Sequence, residues 1–94
     1  MRTDDQIKLI ESYFQSNQMD EAGHLLEELI KTDASNEELY FWLGRVYYKK
    51  QEWGSAINAF QKVLEINPEH ADAKSQIDMA YNILGYFNPD MFNP

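Results

Sequence analysis

Apolar residues recur at spacings of three and four along most of the chain, which is the pattern of amphipathic α-helices. The pattern begins with Ile7, Ile10 and Phe14 and resumes after each break in new runs of the same spacing. Short polar segments such as Thr32-Asp33-Ala34-Ser35 separate the runs, as turns between helices do. We therefore predict five helices, near residues 4–17, 20–32, 36–50, 53–66 and 69–84.

Polar residues at the breaks predict where these helices begin and end. Ser35 precedes Glu38 by three residues, which is the spacing of a capping box. Asn67 is followed by Pro68. Asparagine is favoured at the N-cap and proline at the first helical position. A glycine is the usual C-terminal stop. The predicted caps and stop are Asp20, Ser35, Asn67 and Gly85.

The same residue types also recur with a period of 34 residues. Three copies agree in their first halves and two in their second halves, and each full copy contains two predicted helices. A fixed period of this length is typical of stacked helical repeats. The matching sets are Leu9, Leu43 and Ile77, then Tyr13, Tyr47 and Tyr81, then Ala22 and Ala56, and finally Leu26 and Phe60.

The second copy, residues 37–70, resembles a tetratricopeptide repeat, whose signature is Trp-x2-Leu-Gly-x2-Tyr, then Ala-x3-Phe, then Pro. Tyr40 stands where the tryptophan is usual, and the first and third copies depart from the glycine position with Ile10 and Asp78. The matching residues are Leu43, Gly44, Tyr47, Ala56, Phe60, Val63 and Pro68.

The resemblance implies an all-α fold, a short right-handed α-solenoid in a single domain covering residues 1–94. We expect two helix pairs, residues 3–36 and 37–70, followed by a capping helix over 71–85 and an irregular tail over 86–94. Gly44 and Ala56 are small where the two helices of a pair cross, so the helix backbones can approach closely.

Charge and composition exclude several classes of function. Eight basic against sixteen acidic residues give a net charge of −8, which disfavours binding to nucleic acid and to anionic membranes. The 44% apolar share predicts a folded chain, and the absence of cysteine excludes disulfides and cysteine-bound metals. If Met1 is the natural start, the early acids Asp4 and Asp5 argue against a targeting peptide and predict a cytoplasmic protein.

The sequence offers no set of residues for catalysis, a metal or a cofactor. His24 has Glu27 and Glu28 at helical spacing, but two or three ligands on a solvated helix face are more often incidental pairing than a metal site. The four glycines are scattered and form no phosphate-binding loop. We therefore predict a protein that is not an enzyme, with an enzyme as a distant alternative.

In tetratricopeptide repeats the first helix of each pair lines a concave face that binds partners, so the resemblance predicts a groove here. Phe14, Phe41 and Tyr48 are not required by the repeat signature, and they either bind a partner or pack against the next first helix. Arg45 and Lys49 would orient an acidic or carbonyl-bearing group of the partner. The predicted binding residues are Ile7, Glu11, Phe14, Phe41, Arg45, Tyr48, Lys49 and Met79.

The resemblance implies a non-enzymatic adaptor that binds a peptide or helix of another protein in this groove. Some members of the family hold the acidic C-terminal tails of chaperones with a clamp of basic and amide side chains. The matching positions here are Ile7, Glu11, Trp42, Asp72 and Gln76, so we expect no binding of such tails.

The tail contains four large apolar residues where a third repeat would need its second helix. Pro89 and Asp90 exclude that helix, and we predict that the tail packs over the exposed face of the last helix as a cap. One alternative is docking into a second copy, which would give a homodimer and a self-associating structural unit that uses the groove, the tail or both. The docking residues in either case are Tyr86, Phe87, Met91 and Phe92. The other alternative is a disordered end or a motif that a different protein recognises.

Overall fold

A computed structural model describes residues 3–87 of the chain, with the side chains of residues 4–85. Within this range the chain forms five α-helices and no strand, so the predicted all-α class is confirmed. The helices are α1 (Thr3–Gln15), α2 (Met19–Thr32), α3 (Glu37–Lys49), α4 (Trp53–Ile66) and α5 (Ala71–Phe87).

Each helix packs mainly against the next one along the chain, from α1 on α2 to α4 on α5. Packing between sequential neighbours produces an elongated stack rather than a sphere, and the molecule measures 47 × 28 × 20 Å. The stack of two helix pairs and a final helix is the expected solenoid.

The core consists of two clusters that share α3. The first joins α1, α2 and α3 around Ile10, Leu26 and Leu39, and the second joins α4 and α5 around Phe60 and Val63, with aromatic rings of α3 at its edge. All five side chains are fully buried. Burying apolar side chains on both sides of α3 fixes the second helix pair against the first and against α5.

The repeat register explains why the stack begins at α1. Leu39, Leu43 and Val46 of α3 are buried against the preceding helix pair. The residues 34 positions earlier are Asp5, Leu9 and Ser12, which are all exposed. Two of these three are polar, so α1 presents a largely hydrophilic outer face that needs no preceding repeat.

The opposite end of the stack is also polar. The α5 residue at the position of Gly44 is Asp78, and it is exposed together with its neighbours Lys74, Ser75 and Asn82. Tyr81 on the same helix is 38% exposed, so this end of the stack also presents apolar surface. The predicted cap by the tail lies outside the described residues and stays a prediction.

The predicted N-caps of α2 and α3 are both wrong. Asp20 lies in the first turn of α2, where Gln18 is the N-cap residue and makes no side-chain capping bond. Asn36 rather than Ser35 caps α3, because its Oδ1 accepts a hydrogen bond of 3.0 Å from the Glu38 N–H. Neighbouring polar residues compete for a cap, and the backbone angles at the turn select the one that reaches the free N–H groups.

Both predicted boundaries of the last helix are wrong as well. Asn67 caps only a turn, through a 3.1 Å bond from the Glu69 N–H, and α5 begins at Ala71. Its cap is His70, whose Nδ1 accepts a 3.0 Å bond from the Ala73 N–H. At its other end α5 passes through Gly85 to Phe87 rather than ending at 84 or 85, since a glycine keeps the helical conformation unless the chain turns left-handed there.

The turn within each helix pair has a residue in the left-handed conformation at the same repeat position. Asn17 has φ 59° and Gln51, which lies 34 positions later, has φ 63°. The residue that follows each of them donates its N–H to the carbonyl of a tyrosine five positions earlier, with bonds of 2.7 Å from Gln18 and 2.9 Å from Glu52. A positive φ closes the helix C-terminus in the manner that glycine usually does.

Candidate functional site

A groove opens where the three first helices, α1, α3 and α5, lie side by side. It has a volume of about 260 Å³ and is lined by side chains from all three helices. Five of its six lining residues belong to the predicted binding set. The lining residues are Phe14, Arg45, Tyr48, Lys49, Gln76 and Met79.

Arg45 occupies a fixed place in this groove. Its guanidinium carbon lies 4.7 Å from the ring centroid of Phe14 and 4.4 Å from that of Trp42. The two rings meet edge to face, with centroids 5.6 Å apart and planes at 74°. A cation against aromatic faces gains about 0.5–1 kcal/mol per contact where it remains partly hydrated. These contacts restrain a side chain that would otherwise sample many rotamers.

Apolar surface lies next to this cation. Met79 is 49% exposed, so about half of a large apolar side chain on α5 faces the solvent in the groove. Tyr48 is half-buried because its ring packs edge to face on Trp53, with centroids 4.9 Å apart. The groove therefore combines an exposed apolar side chain on α5 with an aromatic ring on α3 that packs on Trp53.

Neither cation of the groove has an acidic partner among the described residues, in contrast to three other lysines. Lys31 pairs with Glu28 at 2.9 Å, Lys62 with Glu65 at 3.2 Å, and Lys50 with Asp20 at 2.8 Å. Within residues 3–87, no carboxylate lies within 4.0 Å of the charged groups of Arg45 or Lys49. Their hydrogen-bonding capacity is therefore directed at solvent or at a ligand.

The Lys50–Asp20 pair shows what happens when a lysine in this region does find a partner. Its hydrogen bond to Asp20 lowers the pKa of that carboxyl below its usual value, and the charge of Lys50 adds to the effect. The pair connects the first turn of α2 to the turn that follows α3, and it is exposed to solvent, so its contribution to stability is small.

Three of the predicted binding residues do not line the groove. Ile7 is 7% exposed and belongs to the first core cluster, so little of it can reach a partner. Phe41 packs on Phe60 and His70, with centroids 5.5 and 4.9 Å away. Glu11 is exposed on α1 outside the lining. Phe41 thus makes packing contacts, but its ring partners are Phe60 of α4 and His70 in the turn before α5 rather than a residue of the next first helix.

Sequence reasoning missed the bracing role of one residue. Trp42 does not line the groove, yet it contacts Arg45, which is three positions later on the same helix. The spacing is visible in the sequence, because residues three apart on a helix are neighbours. Phe14 and Trp42 together with Arg45 could therefore have been recognised as one cluster once α1 and α3 were known to pack.

The residues predicted for tail docking lie outside this description. The backbone of α5 is described as far as Phe87, whereas the side chains of Tyr86 and Phe87 and the whole of Met91 and Phe92 are not. Among residues 3–87, no three His, Asp or Glu side chains come together to form a metal site. In the same range no helix has the length and hydrophobicity that a bilayer crossing requires.

Comparisons with known proteins agree with this architecture. The family described as tetratricopeptide repeat matches residues 13–77, which is more than half of the chain. Two solved structures of MamA mutants superpose on 85% of the chain, each with a TM-score of 0.76 and 24% sequence identity. This chain spans 58% and 44% of the lengths of those two proteins, and at this identity the likeness shows a shared fold. No curated protein matches the chain.

Proposed function

The chain belongs to the tetratricopeptide repeat family, and we propose that it is a non-enzymatic module that holds a peptide or helix of a partner protein in the groove between α1, α3 and α5. Repeats of this family are generally protein-interaction modules and are typically not enzymes. The proposal goes further by assigning the binding to one surface of this chain.

The observation that best supports this assignment is the exposure of apolar surface inside the groove. Met79 is 49% exposed there, beside a second apolar surface on Tyr48. Apolar surface that is exposed in a concave site and surrounded by polar residues commonly marks a place where another molecule binds. Interface energy is commonly concentrated in a few such central apolar side chains surrounded by polar ones.

The polar rim of the groove fits the same role. Arg45, Lys49 and Gln76 line the groove together with the apolar side chains and can donate hydrogen bonds to backbone carbonyls or acidic groups of a bound segment. A volume of about 260 Å³ accommodates a few side chains of a partner rather than a folded domain. A linear peptide or a single helix is thus the class of partner that fits.

The test uses the full 94-residue chain, immobilised and offered a phage-displayed library of random 12-residue peptides. Enriched peptides are synthesised, and their affinities are measured by fluorescence anisotropy for the wild-type chain and for Met79→Ser. We expect the substitution to weaken binding at least about tenfold, as truncation of a central anchor does. Met79 is exposed, so its replacement leaves the core unchanged.

Leu9→Ser is the matched control. Leu9 is 37% exposed and apolar but lies on α1 outside the groove, so its replacement should leave peptide affinity unchanged. Enrichment of no peptide, or equal affinities for wild-type and Met79→Ser, would contradict the proposal. A wild-type chain that self-associates in sedimentation equilibrium, with the association lost in Met79→Ser, would instead assign the groove to a second copy of the chain.

A further inference from the structure

We propose that the groove recognises one acidic side chain, an aspartate or glutamate, that lies next to a large apolar side chain in the partner peptide. This inference rests on the proposed function and specifies its ligand. The acidic group would bind between Arg45 and Lys49, and the apolar group would contact Met79 and Tyr48.

Arg45 is prepared for this contact before any ligand arrives. The contacts of its guanidinium with Phe14 and Trp42 hold the long side chain in place. Little conformational entropy is then lost when the planar group forms paired hydrogen bonds to a carboxylate. A lysine held by no aromatic ring would lack this advantage.

Lys49 supplies a second positive charge four residues later on the same face of α3. Both cations lack an acidic partner among the described residues, although the chain as a whole has a net charge of −8. The two cations therefore form a local positively charged site in an acidic protein, and such a site attracts an acidic side chain.

The surroundings of the groove limit how much negative charge is accepted. Exposed acids stand on both flanking helices, Glu11 on α1 and Asp72 on α5. They would repel a run of acidic residues while leaving a single carboxylate at Arg45 favourable. The inference is therefore an isolated acid with an apolar neighbour, and not a polyacidic segment.

The closing experiment uses the peptides enriched from the random 12-residue library. The inference expects Asp or Glu within two positions of a large apolar residue in the enriched set. For one such peptide, replacing Asp by Asn or Glu by Gln should weaken binding to the wild-type chain about tenfold or more, the size of a charge-assisted hydrogen bond. Arg45→Gln and Lys49→Gln should each weaken binding of the acidic peptide but not of its amide counterpart.

Lys8→Gln is the matched control, because it removes one positive charge from an exposed residue of α1 that does not line the groove. Its affinity for the acidic peptide should stay within about twofold of wild type, since an exposed charge that makes no direct contact with the ligand acts on it only weakly through water and salt. If Arg45→Gln disturbs folding, Lys49→Gln still tests the proposal, because Lys49 is exposed and its replacement leaves the core unchanged.

The outcomes separate the two proposals. Enriched peptides that require Met79 but contain no acid, or that bind Arg45→Gln and Lys49→Gln as tightly as wild type, would overturn the acidic ligand and leave the groove as the binding site. Peptides that are insensitive to Met79→Ser would overturn the proposed function, and the acidic ligand with it.

Discussion

Replacing Gly44 by alanine tests the crossing of α3 and α4 on which the second repeat is built. A Cβ atom at this position would lie 2.6, 2.7 and 2.8 Å from three atoms of the Phe60 ring. Ordinary contacts of a Cβ begin near 3.4 Å, so the ring or the helix must move by about 0.6–0.8 Å. The ring is fully buried and packs on Phe41, so it has no free space to enter.

Two effects of opposite sign determine the magnitude. Overpacking a core costs about 1–3 kcal/mol, and three overlapping ring atoms place this substitution near the upper end of that range. Replacing glycine by alanine within a helix gains about 1 kcal/mol from helix propensity. We therefore expect Gly44→Ala to lower the free energy of unfolding by about 2 kcal/mol.

Gly23→Ala is the control that shares the propensity gain without the strain. Gly23 lies within α2, and its Cβ would meet only Val46 Cγ1, at an ordinary 3.7 Å. This variant should be about 1 kcal/mol more stable than wild type, so the two alanine variants should differ by about 3 kcal/mol. Urea denaturation followed by circular dichroism at 222 nm measures both, and each 1 kcal/mol corresponds to roughly 4–8 °C in Tm.

A third variant attributes the strain to the ring. Phe60→Leu removes the ring atoms that a Cβ at position 44 would meet, so adding Gly44→Ala to it should cost less than adding it to wild type. Equal stability of Gly44→Ala and Gly23→Ala would refute the reasoning, because the close approach of α3 and α4 would then have no energetic consequence.

Three further predictions concern the helix ends. His70→Ala, which loses the Nδ1 cap of α5, should be about 1 kcal/mol less stable than His70→Asn, whose amide oxygen can still accept a capping bond; thermal unfolding of both compares them. Gln51→Gly should raise the free energy of unfolding, measured by urea denaturation, by about 0.5–1 kcal/mol, because glycine relieves the strain at φ 63°. A decrease of the same size would show that Gln51 is not strained at this position. Asp20 has a pKa lowered by Lys50, so its stabilising contribution is present above its unfolded pKa near 3.8 and is lost as the pH falls. Asp20→Asn should accordingly be less stable than wild type at pH 7, and the difference in the free energy of unfolding should shrink as the pH falls below 3.8 through the lowered pKa.

The number of helices and their pairing follow from periodicity in the sequence. Apolar spacing predicts each helix, and the 34-residue period predicts how the pairs stack. Ala56 repeats Ala22 and, together with Gly44, supplies the small residues that a close crossing needs. Both signals extend over many residues, so an irregular position does not remove them. The helix ends depend instead on single residues, and here Asn36 and His70 took the caps that Ser35 and Asn67 were expected to supply.

The site could be predicted only in part. A residue's position in the repeat shows which face of its helix it lies on, but not which residues of other helices it contacts. Arg45, Tyr48, Lys49 and Met79 meet in one groove as the repeat positions imply. Phe41 has the same type of position, yet His70 from the turn before α5 lies against its ring. The bracing of Arg45 by rings from α1 and α3 likewise depends on how closely two helices pack, which no spacing within one helix specifies.

The most direct test of the groove as a binding surface is an NMR titration of the full chain labelled with ¹³C at its four methionine methyl groups. Met79 is exposed in the groove. Met19 is only 8% exposed, in the first core cluster, and serves as an internal reference. On addition of a library-selected acidic peptide, the account predicts that the Met79 methyl signal shifts in a saturable manner and that the Met19 signal does not. A peptide that binds while the Met79 signal stays in place would contradict the account.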